Sequence, residues 1–184
     1  MFAMVTKALF LDRDGVINVN HGYVYRSNDF DFIDGIFDLV LRAKELGYLV
    51  IVITNQAGIG RGFYTEADFQ ALSKWMCRQF KLVDATIDRV YFSPFHPTAG
   101  LGKYLKDDFS RKPKPGMILE AELDFDIDLK SSVLIGDKIS DIKAGLAAGI
   151  SKNILLAPEG SQNDSTLKFF QAASLAEASC FLAL

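Results

Sequence analysis

The chain has 184 residues, 49% hydrophobic and 23% charged, an ordinary globular balance long enough for one full core and, at about 150 residues per domain, for one domain spanning 1–184. Twenty Lys and Arg against 23 Asp and Glu leave a net charge of −3, without the broad basic field of a nucleic-acid binder. No apolar run nears the roughly 18 residues a membrane span needs, Met1 to Lys7 has no signal-peptide layout, and Cys77 and Cys180 are too few for a disulfide framework, so a cytoplasmic protein, monomeric by default, is expected.

Ala8–Leu11 is a short apolar run that ends in Asp12-Arg13-Asp14-Gly15, which reads as a buried strand. Ile36, Leu39, Val40, Ala43 and Leu46 recur at helical spacing, and Gly47 supplies the stop. Leu49–Ile53 is apolar without alternation, the pattern of a central parallel strand covered on both faces. Thr65 to Asp68 form a capping box with Asp in place of Glu, opening a helix through Phe69, Leu72, Met76 and Phe80. Val90–Phe92 is a third strand, residues 94–113 a long loop rich in Pro, Gly and Lys, and Pro115 starts a short helix reaching Leu123. Val133–Ile135 is a fourth strand, a helix runs from about Ser140 to Ala148 before Gly149, and Asn153–Leu156 is a fifth strand. Residues 160–164 read as a turn region, followed by an apolar tail. Alternating strands and helices with short joints predict a doubly wound, mostly parallel α/β sheet with helices on both faces.

In such a sheet ligands bind beyond the carboxyl ends of the strands. Asp12 and Asp14 follow the first strand, Thr54 and Asn55 the second, and Asp137, Lys138 and Asp141 the fourth, while Arg111 and Lys112 precede the Pro115 helix. All can converge on one crevice. Two carboxylates at i and i+2 leave an extended strand on the same side, and their repulsion calls for a cation or a shared proton. Asp137 and Asp141 are able to complete a hard oxygen site of the kind Mg²⁺ prefers. Thr54, Asn55 and the Gly58, Gly60, Gly62 stretch offer donors to phosphoryl oxygens, and Lys112 and Arg111 offer charge to phosphate. Each group alone also fits a plain surface turn. Arg13 and Arg61 read as solvated or substrate-facing. His21 and His96 have no partner at metal-ligand spacing.

Asp12-Arg13-Asp14-Gly15-Val16-Ile17-Asn18, Thr54-Asn55-Gln56, Arg111-Lys112-Pro113 and Gly136-Asp137-Lys138 resemble the motifs of the haloacid dehalogenase-like phosphatases, with their Rossmann-type fold. Within that superfamily the order and spacing are similar to the D-glycero-D-manno-heptose 1,7-bisphosphate phosphatases, above all at His21 to Val24 and Gly58 to Gly62, and next to the histidinol-phosphate phosphatases. The likeness runs from about Lys7 to Leu156. It implies that Asp12 is the nucleophile and Asp14 the general acid and then base. By the same resemblance Thr54 and Lys112 steady the transferring group, and Mg²⁺ is held by Asp12, the Asp14 carbonyl and Asp137. Asn20, His21, Gly22, Tyr23, Asn55, Gln56, Ala57, Arg111 and Lys138 would bind a small phosphorylated sugar, in a lipopolysaccharide or other surface-glycan pathway. Larger relatives carry a cap domain, for which this chain has no room, so loops 18–30 and 94–110 are expected to border an open site.

One departure stands out. Relatives hold the loop before Arg-Lys with a zinc site, and the matching positions here are Ser93, Phe95, Asp108 and Ser110. Structural zinc takes four Cys or His ligands, so no zinc is expected. Loop 94–110 then replaces the zinc loop, with Phe95, Leu101, Tyr104, Leu105 and Phe109 expected to staple it as an apolar cluster.

Overall fold

The computed structural model describes residues 5–158, 164 and 166–183. Strands β1 (Lys7–Leu11), β2 (Tyr48–Asn55), β3 (Arg89–Ser93), β4 (Val133–Gly136), β5 (Lys152–Leu156) and β6 (Phe170–Ala172) form one sheet in the order β3-β2-β1-β4-β5-β6. Every pairing is parallel, with Leu9 opposite both Val50 and Val133. All six carboxyl ends therefore lie along one edge, and the predicted doubly wound architecture is present.

The central strands explain why the sheet is covered twice. Leu9 and Leu11 on β1 and Val50 and Val52 on β2 face one way, into a core with helices α1 (Ile36–Glu45), α3 (Glu66–Lys81) and α6 (Leu175–Cys180). Ala8, Phe10, Ile51 and Ile53 face the other way, against α4 (Gly116–Phe125) and α5 (Ile139–Ala148). The alternation is one of destination, not of polarity, which is why the sequence of β2 shows no polar alternation. Helix α3 starts at the predicted capping box, in which Thr65 Oγ1 accepts from the Asp68 amide and Asp68 Oδ2 accepts from the Thr65 amide. Helix α5 is held similarly, with Asp141 Oδ2 accepting from the Lys138 amide at 3.0 Å.

Two parts differ from expectation. The Gly58–Gly62 stretch contains a short helix, α2 (Ala57–Gly60), and its glycines serve packing: a Cβ on Gly58 would meet the Tyr64 ring at 2.3 Å, and one on Gly60 the Pro94 carbonyl at 2.4 Å. The tail holds β6 and α6, whose Leu175 and Ala178 are buried. Of the predicted turn at 160–164, residues 160–163 lie outside the described residues. No described helix is long and apolar enough to cross a membrane.

Candidate active site

The carboxyl edge of the sheet opens into a pocket of about 550 Å³ lined by Asp12, Asp14, Asn20, Gly22, Tyr23, Asn55, Gln56, Ala57, Tyr64, Arg111, Lys112, Pro113, Lys138, Ser140 and Asp141. A larger groove of about 990 Å³ runs beside β3, between α3 and α4, away from those motifs.

Asp12 lies at the end of β1, its amide bonded to the Ile135 carbonyl of β4 at 3.1 Å. Its Oδ1 accepts from the Arg13 amide at 2.7 Å and faces the Lys112 ammonium at 2.9 Å. Lys112 reaches in from the long loop and uses all three of its protons, on Asp12, on Asp141 Oδ1 at 2.7 Å and on the Ile53 carbonyl at 2.9 Å. Its main chain is clamped by Asn55, whose amide donates to the Lys112 carbonyl at 3.0 Å and accepts from the Lys112 amide at 3.1 Å. Burial by itself would discharge Lys112, but Asp12 and Asp141 outweigh it and the ammonium is held protonated well above its ordinary range.

Carboxylates of Asp12, Asp137 and Asp141 each place an oxygen within 4.8 Å of the other two, the one such metal-competent cluster among the described residues. Burial first, then the neighbouring Asp12 charge, pushes the Asp137 carboxyl up to about 7, and burial raises Asp12 despite the opposing Lys112. Asp137 Oδ1 is buried without a hydrogen-bond partner. An all-oxygen donor set with an unsatisfied carboxylate fits a hard divalent cation such as Mg²⁺. Asp141 is already committed to Lys112, which leaves Asp12 and Asp137 as the side chains best placed to hold the ion. Gly15 makes the arrangement possible. It sits at φ +100°, and a Cβ there would lie 2.2 Å from Asp137 Oδ2.

Asp14 is held by its neighbours. Arg13 donates to both carboxylate oxygens at 2.9 Å, Asn18 to Oδ1 at 3.1 Å and Gln56 to Oδ2 at 3.1 Å. Arg13, which the sequence reading left as solvated or substrate-facing, is instead 1% exposed, also bonded to the Val24 carbonyl, and lies over the Phe69 ring. Gln56 lines the pocket, yet its amide is engaged inside the protein: Nε2 also donates to Thr54 Oγ1 at 2.8 Å, and Oε1 accepts from the Tyr64 hydroxyl at 2.6 Å. Thr54 is buried below this network.

Of the expected sugar-facing residues, Asn20, Gly22, Tyr23, Asn55, Gln56, Ala57, Arg111 and Lys138 line the pocket. His21 does not; its Nε2 lies 2.7 Å from Asp31. Lys138 stands 3.5 Å from Asp137. The sequence places Asp141 near the cation but does not mark it as a partner of Lys112, and it does not point to Tyr64 at all. Asp141 had a signal, four residues after Asp137 at the opening of a helix; Tyr64 had none.

Loop 94–110 is not stapled as expected. Leu101, Leu105 and Phe109 are each more than half exposed, so of the apolar set only Phe95 and Tyr104 keep a ring contact. Polar groups hold the loop, and three of them are Ser93, Asp108 and Ser110, where no zinc is expected. Ser110 donates through its hydroxyl to Asp108 Oδ1 at 2.7 Å and accepts from the Ser93 hydroxyl at 3.0 Å, a direction set by the acceptor-only carboxylate. Asp108 is also bonded to the Ser110 amide and paired with Lys106 at 2.7 Å. Ser93, Asp108, Ser110 and Lys106 thus form one polar knot at the base of the loop.

The comparisons with known proteins agree with this geometry. A family model described as HAD-hydrolase-like matches residues 109–177. The D-glycero-alpha-D-manno-heptose-1,7-bisphosphate 7-phosphatase of Burkholderia mallei is 54% identical over 163 residues, which cover 89% of this chain and 86% of that protein. The D-glycero-beta-D-manno-heptose-1,7-bisphosphate 7-phosphatase of Vibrio cholerae is 44% identical over 153 residues, 83% of this chain and 82% of that one. A crystal structure of D,D-heptose 1,7-bisphosphate phosphatase from B. bronchiseptica, complexed with magnesium and phosphate, superposes with a TM-score of 0.83 at 25% identity over 97% of this chain and 98% of that one. Sequence likeness of this extent, on a parallel sheet with an acid cluster at its carboxyl edge, shows that the chain belongs to the D-glycero-D-manno-heptose 1,7-bisphosphate phosphatase family of haloacid dehalogenase-like hydrolases.

Proposed function

We propose that this protein removes the C7 phosphate of D-glycero-D-manno-heptose 1,7-bisphosphate, leaving the 1-phosphate, through an aspartyl-phosphate on Asp12. The observation that carries the reading is the buried Asp12–Lys112–Asp141 array beside Asp137. A binding protein has no use for a nucleophile fixed against a fully engaged lysine.

In this reading an Asp12 carboxylate oxygen bonds to phosphorus as the ester P–O bond breaks, and Asp14 gives its proton to the departing C7 oxygen. Asp14 then takes a proton from water, whose oxygen attacks phosphorus and releases Asp12. Lys112 supplies fixed positive charge to the phosphoryl oxygens, and Asn55 keeps it there by clamping its main chain. Position and electrostatics carry most of the catalysis in phosphoryl transfer. Mg²⁺ held by Asp12 and Asp137 would supply charge neutralisation between the carboxylates and the incoming phosphate. Tyr23, Asn20 and Lys138 would face the sugar, with Arg111 on the second phosphate. The protein would act alone on this small substrate, and both of its thiols are free.

The α anomer is the favoured substrate in this reading, because the relative named for it is 54% identical and the one named for the β anomer 44%. Kinetics on both heptose bisphosphate anomers and on histidinol phosphate, with and without Mg²⁺, test it. The expected outcome is Mg²⁺-dependent release with α ahead of β and both well ahead of histidinol phosphate. Preference for histidinol phosphate would overturn it.

A further inference from the structure

A second cluster of charge stands beside the Asp12 centre. Arg61 follows α2, His96 lies near the start of loop 94–110, and Arg111 comes directly after it. The loop is tied to α2 by the Leu101 amide on the Gly60 carbonyl at 2.7 Å, and Arg111 donates to the Phe95 carbonyl at 3.0 Å. Among the described residues neither Arg61 nor Arg111 has an ion-pair partner. Burial first, then the Arg61 charge, lowers the Arg111 pKa, with Asp107 opposing more weakly.

His96 carries the argument. Its Nδ1 accepts from the Ala99 amide at 3.0 Å and the Thr98 amide at 3.2 Å, with the Thr98 hydroxyl farther off at 3.4 Å. Its Nε2 stands 3.4 Å from an Arg61 Nη2. A neutral imidazole has one N–H and one acceptor nitrogen. Two amide donors on Nδ1 put the proton on Nε2, where it faces the N–H of a guanidinium. The other tautomer only moves the conflict, setting Nδ1–H against two amide N–H groups. Protonating both nitrogens adds a third positive charge, and burial together with Arg111 and Arg61 holds the His96 pKa below its ordinary value. Arg61 Nε, meanwhile, is buried with no partner. Donors from both residues therefore meet with no acceptor between them. An oxyanion resolves the conflict, since its oxygens accept from all of them.

The cluster communicates with the pocket. Arg111 lines it together with Asp12 and Lys112, and Tyr23, also in the lining, lies with its ring 5.9 Å from the Arg61 guanidinium. We propose that Arg61 and His96 join Arg111 in an anion subsite that holds the phosphate the enzyme does not hydrolyse, and that this subsite sets its preference for bisphosphates over monophosphates. The substrate class rests on the reading under Proposed function; the anion subsite rests on the donor conflict at His96.

Two measurements test it. Arg61→Gln should lower the ratio of kcat/KM for heptose 1,7-bisphosphate to that for heptose 7-phosphate by about 10- to 100-fold, the worth of a charge-assisted hydrogen bond, mainly through KM for the bisphosphate, with Arg61→Lys recovering part of the loss. An unchanged ratio would overturn the proposal. The second needs no sugar. The chain has only two histidines, so ¹⁵N spectra resolve the His96 ring, whose Nε2–H signals should shift on adding inorganic phosphate in the wild type and not in Arg61→Gln. A ring that ignores phosphate overturns the subsite, whatever the enzyme hydrolyses. A responding His96 in an enzyme inactive on the heptose ester upholds the subsite and overturns the substrate reading instead.

Discussion

The Lys112 ammonium lies 2.7 Å from Asp141 Oδ1, closer than its 2.9 Å approach to Asp12 Oδ1. The same Asp141 closes the start of α5 through the Lys138 amide. One buried carboxylate thus fixes both the cation at the reaction centre and the helix behind it. Asp141→Ala leaves a buried ammonium with half its compensation, and losing one member of a buried charged set costs about 3–5 kcal/mol. Urea denaturation should show a loss of that order, together with reduced turnover. A loss below about 1 kcal/mol would mean that Asp141 is dispensable to the array.

Gly15 brings Asp137 against the Asp12–Asp14 turn. Its positive φ and the 2.2 Å approach of Asp137 Oδ2 leave no room for a methyl group. Gly15→Ala has to displace Asp137 or the turn, so Mg²⁺ binding, followed calorimetrically, should weaken by at least about tenfold, or about 1.4 kcal/mol. Wild-type Mg²⁺ affinity in that variant would show that Asp137 does not hold the ion from this position.

Tyr64 acts on Asp14 through one intermediary. Its hydroxyl donates to Gln56 Oε1, which directs the other end of the same amide to Asp14 and Thr54. Burial raises the Tyr64 hydroxyl pKa to about 12, so it remains a donor across the working range. Tyr64→Phe strands a buried carbonyl oxygen at a cost of about 1–3 kcal/mol in stability, and kcat should fall severalfold as Gln56 loosens. Unchanged stability would show that water takes over the bond.

The polar knot of loop 94–110 has its own pH signature. The Lys106 ammonium, helped by Ser110, lowers Asp108 from its ordinary 3.8 to about 2. A carboxylate lowered on folding stabilises the protein above its ordinary value, and that contribution fades as pH falls toward the folded value. Asp108→Asn should therefore be less stable than wild type at pH 7, with the difference shrinking below about pH 4. Denaturant titrations at neutral and acid pH measure it. A gap that widens on acidification would contradict the assignment.

The strands and helices were legible wherever burial was two-sided or a cap was written locally, as in β2 and at Thr65. The tail was not, because Phe170–Ala172 and Leu175–Cys180 are short and their burial against β5 and α1 is a tertiary fact. Acids and cations at strand ends converged as their positions implied, since a parallel sheet gathers all its carboxyl ends on one edge. What the sequence hid was occupancy. Arg13 is buried against Asp14, and Gln56 and Asn55 direct their amides to other site residues, because hydrogen-bond partners are chosen by the fold and not by spacing. The five apolar side chains of loop 94–110 suggest a staple, yet Leu101, Leu105 and Phe109 stay on the surface, and Ser93, Asp108 and Ser110 add the polar ties that the sequence pattern does not show.

The central claim is that Asp12 receives the phosphoryl group. Asp12→Asn keeps the shape of the side chain and removes the nucleophilic carboxylate. Mg²⁺-dependent phosphate release from heptose 1,7-bisphosphate should fall by about a thousandfold or more, some 4 kcal/mol in the barrier, while the variant stays folded. Hydrolysis at the wild-type rate would contradict the account.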